Sequence, residues 1–329
     1  GNSIGAGCNI MPGTVLTTLV QQGVYPDPFF GVNNLAIPDD LCRKEWWYRA
    51  EVTLPDEVLA RPELELLFNG INYRADVWVN GRQVADKKDI VGMFRRFKLD
   101  ITGYARAGAN NCIAIKIYQV DHPGVPTPGT QLKVFGPVRG HSYDIFKDET
   151  LKISGGWDCA PVVRDRNMGI YQKVIVEATD EVLIENPFVV TTLPKSTTMP
   201  MKVDTGLAKV NIKLEVRNTS AKLVEGKVNA WITLLNEVKF PTYTKHMEGY
   251  LKPIKLTKKV ALRAGERKVV ELTPEDFPSL LIENPYLWYP NGYGEQYLHH
   301  MKLSFSIGGK VSDTKEFDFG IREVASGLN

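Results

Sequence analysis

A tryptophan beside a carboxylate stands near the middle of the chain, where Trp157 directly precedes Asp158 and follows Gly155 and Gly156. A tryptophan ring can stack on the apolar face of a pyranose, and a carboxylate can accept hydrogen bonds from sugar hydroxyls. The two glycines would let the backbone approach a ligand closely. Taken alone, the segment fits either a sugar site or the commoner case of a core tryptophan beside a turn aspartate.

A second group of candidate residues follows closely, as Arg164, Asp165, Arg166 and Asn167. Two arginines around one aspartate can form an ion-pair cluster that pins a loop, or a polar wall that faces a ligand. Without further context the ion-pair cluster is the simpler interpretation. The run Phe94–Phe97 is also basic and aromatic, and it predicts the start of a strand with a solvated arginine pair.

The remaining motifs that could carry chemistry favour neither a metal nor a cofactor. His299 and His300 are adjacent, so in a strand they point to opposite faces and cannot chelate one metal ion. His122 and His141 lack metal-ligand spacing. The nucleophile-elbow, zinc-protease, phosphate-loop and dinucleotide signatures are all missing from the sequence. Carboxylates are plentiful, but the sequence does not indicate which two could face each other across a glycosidic bond.

Composition excludes several classes of protein. The 329 residues carry a formal net charge of +2, which disfavours a nucleic-acid binder with its basic patch. No apolar run reaches the roughly 18 residues that a membrane-spanning helix needs. The four cysteines lie far apart and predict free thiols rather than a disulfide scaffold, which leaves the cellular compartment open.

Strand patterns dominate the elements that must position these residues. One short helix is predicted over 15–22, capped by Thr14 and ended by Gly23, before an irregular proline-containing stretch. Asn80 and Gly81 are a strong hairpin signal. The strands predicted in the first half cover 46–52, 64–68, 75–79, 82–85, 97–101, 112–118 and 171–177.

The second half predicts a separate sandwich. About seven short strands with turns between them are typical of an immunoglobulin-like domain, and no helical period separates them as a parallel α/β sheet would require. We therefore expect an all-β chain of two β-sandwich domains, residues 1–179 and 180–329. The intervening segment 119–170 is too long for an ordinary loop, and its aromatic residues predict an ordered, functional one.

Several strings, in this order along the chain, resemble the start of glycoside hydrolases of family 2, with similarity to the exo-β-glucosaminidase and β-mannosidase branch. Any one string is weak, but the resemblance that they carry together extends over nearly the whole chain. They are Met11–Leu16, Tyr25–Gly31, Trp46–Arg49, Val77–Gly81, Gly156–Asp158, Asp165–Ile170, Leu287–Gly294 and Phe319–Glu323.

This resemblance implies a sugar-binding jelly-roll domain, galactose-binding-like in fold, followed by an immunoglobulin-like domain. It implies that Trp157 and Asp158 help to wall the terminal-sugar subsite, and that Asp165 and Asn167 position that loop or touch a hydroxyl. Cys159 stands where the mannosidase-like loop usually has a second tryptophan, so one stacking wall is missing and the case for mannose is weakened.

The resemblance also implies that the catalytic residues lie elsewhere. In the family, the acid/base and nucleophile carboxylates of a retaining glycosidase belong to a (β/α)₈ barrel, which needs about 250 residues of alternating strands and helices. That pattern is absent from this sequence. The expected partners are a non-reducing-end β-glycoside and the parent's own barrel, in a periplasmic or extracellular protein. The alternative is a free-standing carbohydrate-binding module.

Overall fold

The computed structural model describes residues 12–106, 108–125, 144–156, 161–194, 205–235 and 252–324. The chain divides into two compact units, a first unit of residues 1–178 and a second unit of residues 179–329. This division lies one residue from the domain boundary expected from the sequence. Each unit is described separately below.

The first unit is built from short antiparallel strands in three sheets. β2, β7, β4 and β5 form a four-stranded sheet in that order, β6, β3 and β9 form a three-stranded sheet, and β1 pairs with β8. The strands are β1 (Gly13–Thr14), β2 (Trp46–Thr53), β3 (Glu63–Phe68), β4 (Arg74–Val79), β5 (Arg82–Ala85), β6 (Phe97–Asp100), β7 (Asn110–Tyr118), β8 (Gly169–Ile170) and β9 (Val174–Thr179).

Alternation along these strands produces the core of the first unit. In β7, Ile113, Ile115 and Ile117 are buried while the residues between them are more exposed, so one face of the sheet turns inward. Side chains from β3, including Leu66 and Phe68, join the same hydrophobic cluster from the second sheet. Residues on both sheets thus share one core, as in a β-sandwich.

Helix α1 (Val15–Gln21) follows β1 and begins as the sequence predicts. Thr14 is its N-cap and accepts a hydrogen bond of 3.2 Å from the backbone N–H of Thr17. Two further helices, α2 (Asn33–Ala36) and α3 (Asp56–Leu59), are single turns. Between β4 and β5, Asn80 and Gly81 both have positive φ, as a tight hairpin turn requires.

The second unit contains two four-stranded sheets. One has the order β10, β11, β14, with β15 also paired to β11, and the other has the order β13, β12, β16, β17. The strands are β10 (Val182–Thr192), β11 (Leu207–Asn218), β12 (Val224–Leu234), β13 (Ile254–Leu262), β14 (Arg267–Leu272), β15 (Leu281–Glu283), β16 (His299–Ile307) and β17 (Lys310–Phe319).

A separate hydrophobic cluster fills the second unit. Every second residue of β11 from Ala208 to Val216 is buried, and these side chains share a cluster with residues of β12 and β16 such as Val228 and Phe305. The all-β prediction with two sandwiches is therefore confirmed. In β12, Gly226 lies against this cluster, and a Cβ there would lie 2.4 Å from the ring of Phe305.

Candidate functional site

Two of the four predicted site residues, Asp165 and Asn167, lie in the loop that leads into β8. Trp157 and Asp158 lie outside the described residues. The described part of the site consists of the two segments that flank residues 157–160. They are a 3₁₀ turn over Lys152–Gly155 and the loop from residue 161 to β8.

Asp165 is fully buried, and its carboxylate accepts hydrogen bonds from two backbone N–H groups. Its Oδ2 accepts a hydrogen bond of 2.6 Å from the N–H of Leu16 in the first turn of α1, and its Oδ1 accepts one of 2.8 Å from the N–H of Asn167. Burial raises the pKa of this carboxyl, because desolvation disfavours the charged form more than these hydrogen bonds favour it.

Asp165 is predicted either to position the loop or to contact a sugar hydroxyl, and its burial favours the first role. A carboxylate that a sugar hydroxyl could reach needs exposed oxygens, and the side chain of Asp165 is 0% exposed. Its contacts to Leu16 and Asn167 instead join α1 to the loop before β8. The geometry supports a role in positioning this loop, and direct contact with a hydroxyl stays a prediction.

The two arginines around Asp165 do not pair with it but with Asp39, which lies 127 residues before Arg166 in the sequence. Arg166 contacts Asp39 at 3.1 Å and Arg164 contacts it at 3.6 Å. Both guanidinium groups are fully buried, and Arg166 also donates to the carbonyl oxygens of Pro123 and Val163. The predicted ion-pair cluster is present, but its acid comes from the 3₁₀ turn Asp39–Arg43.

Asn167 ties the two flanks of residues 157–160 together. Its side-chain amide donates a hydrogen bond of 2.5 Å to Oγ of Ser154. The carbonyl oxygen of the same serine accepts a hydrogen bond of 3.0 Å from the N–H of Val163. Ser154 is completely buried. We call the hydrogen-bonded junction of Ser154, Val163 and Asn167 the base of the loop. Asn167 has φ of 58°, a left-handed conformation that asparagine tolerates better than most residues.

A buried asparagine extends this base. The side-chain amide of Asn72 donates to the carbonyl oxygens of Arg166 and Asn167, both at 3.0 Å. Its Oδ1 accepts a hydrogen bond of 2.8 Å from the hydroxyl of Thr150. Sequence reasoning missed Asn72 and Asp39 because both lie far from the candidate loop in sequence. It missed Thr150 and Ser154, which lie close to that loop in sequence, because neither belongs to a motif.

Three further observations on the described residues concern metal ligands, membrane spans and thiols. No group of three or more histidine, cysteine, aspartate or glutamate side chains there could hold a metal ion. No helix in the same residues is long and apolar enough to cross a membrane. Cys42 and Cys112 are free thiols, whereas Cys8 and Cys159 lie outside the described residues.

Comparison with known families decides where this architecture belongs. Residues 4–172 match the family model described as "Glycosyl hydrolase 2 galactose-binding domain-like", and residues 184–322 match the one described as "Glycosyl hydrolases family 2". The chain belongs to glycosyl hydrolase family 2. The order of the two matches is the order of the two units, so the first unit is the galactose-binding-like domain of this family.

The curated relatives of this chain are much longer than the chain itself. An exo-beta-D-glucosaminidase from Streptomyces avermitilis is 33% identical over 96% of this chain but only 29% of its own length. One from Amycolatopsis orientalis is 31% identical over 96% of this chain and 25% of its own length. A mannosylglycoprotein endo-beta-mannosidase from Lilium longiflorum is 28% identical over 97% of this chain and 30% of its own length. The chain thus spans less than a third of these proteins.

Two solved structures are similar to this chain over nearly its whole length. An exo-chitosanase from Amycolatopsis orientalis matches with a TM-score of 0.70 and 30% identity, over 96% of this chain and 30% of that one. A beta-D-mannosidase from Dictyoglomus thermophilum matches with a TM-score of 0.64 and 23% identity, over 95% and 34%. The second likeness supports the fold alone.

Proposed function

We propose that this chain is the non-catalytic N-terminal part of an exo-acting β-glycosidase, and that its first unit lends a loop to the substrate site of a (β/α)₈ barrel in the parent protein. One observation carries the proposal. Exo-beta-D-glucosaminidases match almost the whole chain, at 33% and 31% identity, yet the chain accounts for less than a third of either protein.

The proposed role of the loop is to wall the subsite of the terminal sugar. Trp157 supplies a stacking face and Asp158 accepts hydrogen bonds from hydroxyls. The hydrogen bonds between the two flanks of residues 157–160 support this role, because Ser154 is hydrogen-bonded to both Val163 and Asn167. A loop held at its base can keep a ring and a carboxylate at the fixed positions that binding of a transition state requires.

The catalytic carboxylates belong to the barrel in this proposal. A retaining glycosidase needs an acid and a nucleophile about 5–5.5 Å apart and open to the substrate. Around the candidate loop, the carboxylate of Asp165 binds backbone N–H groups and that of Asp39 binds two buried arginines. Both carboxylates are therefore committed to structure. We expect residues 1–329 alone to hydrolyse no aryl β-glycoside.

Terminal β-linked glucosamine is the first substrate to test, because two relatives at 33% and 31% identity are named exo-beta-D-glucosaminidases. The absence of a second tryptophan at Cys159 is in line with this choice over mannose. A periplasmic or extracellular location is part of the proposal. It rests on the exo-chitosanase likeness alone, since a long chitosan chain is too large to enter a cell intact.

Two steps test the proposal. The coding sequence beyond residue 329 should continue for a barrel's length, and a stop codon there would favour the free-standing binding module instead. In the full-length parent, Asp158→Asn should lower kcat/KM by roughly 10- to 150-fold, the equivalent of about 1.5–3 kcal/mol for a charge-assisted hydrogen bond. Its thermal midpoint should stay unchanged.

Asp144→Asn is the matched control, because Asp144 is exposed and its ion pair with Lys147 is a local surface contact. That variant should leave kcat/KM unaltered. If Asp158→Asn behaves like Asp144→Asn in a folded parent enzyme, the loop does not belong to the substrate site. Trp157→Ala should lower kcat/KM as well; a loss of thermal stability without loss of activity would mark Trp157 as a core residue.

A further inference from the structure

The basic and aromatic run Phe94–Phe97 borders a cleft that the proposed function leaves unused. This cleft lies on the first unit, is open to solvent and has a volume of about 500 Å³. Its lining consists of Asn69, Phe94, Arg96, Tyr171, Gln172 and Lys173. A volume of this order is typical of sites for small organic ligands.

Three neighbouring strands bring the two cations of the cleft together. Phe68 at the end of β3 pairs with Phe97 at the start of β6, so Asn69 and Arg96 are the next residues on adjoining strands. On the other side, the N–H of Asn69 donates a hydrogen bond of 3.2 Å to the carbonyl oxygen of Lys173, just before β9. Arg96 and Lys173 therefore flank Asn69, and two strand spacings put their backbones about 10 Å apart.

Two close contacts fix the position of the Tyr171 side chain in the cleft. The hydroxyl of Tyr171 donates a hydrogen bond of 2.5 Å to the carbonyl oxygen of Met93, the residue before Phe94. A Cβ at Gly70 would lie 2.6 Å from the ring of Tyr171, so only glycine lets this ring lie so close to the strand. Phe94 follows this fixed point with 63% of its surface exposed. The phenyl ring is presented to solvent rather than buried.

The charge of the cleft is one-sided. No carboxylate belongs to its lining, and within the described residues neither Arg96 nor Lys173 forms an ion pair. Lys98, two residues beyond Arg96, differs in this respect, because it lies 3.5 Å from Glu65 and 3.7 Å from Glu177. An anion in the cleft would therefore meet two cations that pair with no acidic side chain among the described residues.

We propose that this cleft binds an acidic saccharide, a pyranose that carries a carboxylate or a sulfate. The guanidinium of Arg96 can bind either anion through two parallel hydrogen bonds, and Lys173 adds a second positive charge. Phe94 offers a face for the apolar side of the ring, and the amides of Asn69 and Gln172 can bind hydroxyls. A neutral sugar would leave the cations unused, and a free anion would leave the phenyl ring and the amides unused.

The test is a titration of residues 1–329 with four probes at low ionic strength, in which binding is measured by NMR or calorimetry. The probes are methyl β-D-glucuronide, glucose 6-sulfate, the neutral methyl β-D-glucoside and inorganic sulfate. At least one acidic sugar should bind tenfold or more tightly than both the neutral sugar and inorganic sulfate. The stronger of the two acidic sugars identifies the anion as carboxylate or sulfate.

Variants locate the site and separate its two parts. Arg96→Gln with Lys173→Gln should weaken acidic-sugar binding at least tenfold. Lys44→Gln with Lys147→Gln removes the same charge from two exposed ion pairs outside the cleft and should change binding less than twofold. Phe94→Ala should abolish the preference for acidic sugars over inorganic sulfate.

Three results would overturn the proposal. They are equal binding of the neutral and acidic sugars, binding of inorganic sulfate as tight as that of either acidic sugar, and equal loss in the two double variants. None of these measurements involves glycoside hydrolysis, so their outcome is independent of the proposed function.

Discussion

The side-chain amide of Asn167 donates a 2.5 Å hydrogen bond to Oγ of Ser154, and this contact joins the two flanks of the candidate sugar-site loop. Asn167 also has a left-handed backbone conformation, with φ of 58°. A substitution that keeps this conformation but removes the side-chain hydrogen bond isolates the contribution of that bond.

Asn167→Gly provides that separation, because glycine accepts positive φ without strain. In the full-length parent we expect kcat/KM to fall about tenfold, since a small displacement of a positioning group is enough to slow the reaction. The midpoint of thermal unfolding should drop by only a few degrees. Asn186→Gly is the control, because Asn186 also has positive φ but is exposed in the second unit. Equal kinetics for both variants would contradict a positioning role for Asn167.

Asp39 should be essential for the stability of the first unit. Asp39→Asn removes the carboxylate that contacts the buried guanidinium groups of Arg164 and Arg166, and we expect a loss of about 3 kcal/mol in the free energy of unfolding. Asp40→Asn removes only an exposed pair with Lys44 and should cost less than about 1 kcal/mol. Urea unfolding of the two variants checks this, and similar midpoints would show that the buried cluster contributes little.

His299 should make the second unit sensitive to acid. The ring is 3% exposed, and burial lowers its pKa from 6.5 to about 4. Because the folded-state pKa lies below the unfolded one, the unfolded chain binds the proton first as the pH falls. The contribution of His299 is therefore fully present above pH 6.5 and declines toward pH 4, by about 1.4 kcal/mol per pH unit.

Hydrogen exchange of the β16 amides as a function of pH measures this effect. His299→Leu should flatten the decline between pH 6.5 and 4. His300→Gln is the control, because His300 is the next residue on the same strand but lies on the other face, where it pairs with Asp318. A decline that persists unchanged in His299→Leu would assign the acid sensitivity to other groups.

The two units should fold independently. Each has its own hydrophobic cluster, so neither depends on side chains of the other to fill its core. Residues 180–329 expressed alone should give a soluble β protein with a single cooperative thermal transition. An insoluble product, or one that melts without cooperativity, would mean that the second unit needs the first.

Sequence patterns predicted the strands better than the site, for a physical reason. Strand periodicity is local, so the alternation in β7 and the Asn80–Gly81 turn could be read from adjacent residues. The ion-pair cluster was expected around Asp165 because Asp165 stands between the two arginines. The structure assigns that role to Asp39, since Asp165 is used by the N–H groups of Leu16 and Asn167.

Distance in sequence also prevented recognition of Asn72 as a support of the loop, whereas Ser154 lies beside the candidate segment but belongs to no motif. Hydrogen bonds between residues 78 or 95 positions apart leave no periodic signal, and an isolated serine or asparagine belongs to no motif. The family resemblance pointed to the loop itself, at Trp157 and Asp158, but not to the residues that hold its base. Those residues became visible only when the chain was folded.

The pairing of Asp39 with Arg166 has a consequence for synthesis of the chain on the ribosome. Asp39 emerges 127 residues ahead of its partner, a delay of roughly 6 to 25 seconds at typical bacterial and eukaryotic elongation rates. β1 must wait still longer for β8, because Gly13 pairs with Ile170. The first unit therefore cannot close during its own translation, and its early strands remain available to chaperones, or to neighbouring nascent chains, until the second unit has begun to appear.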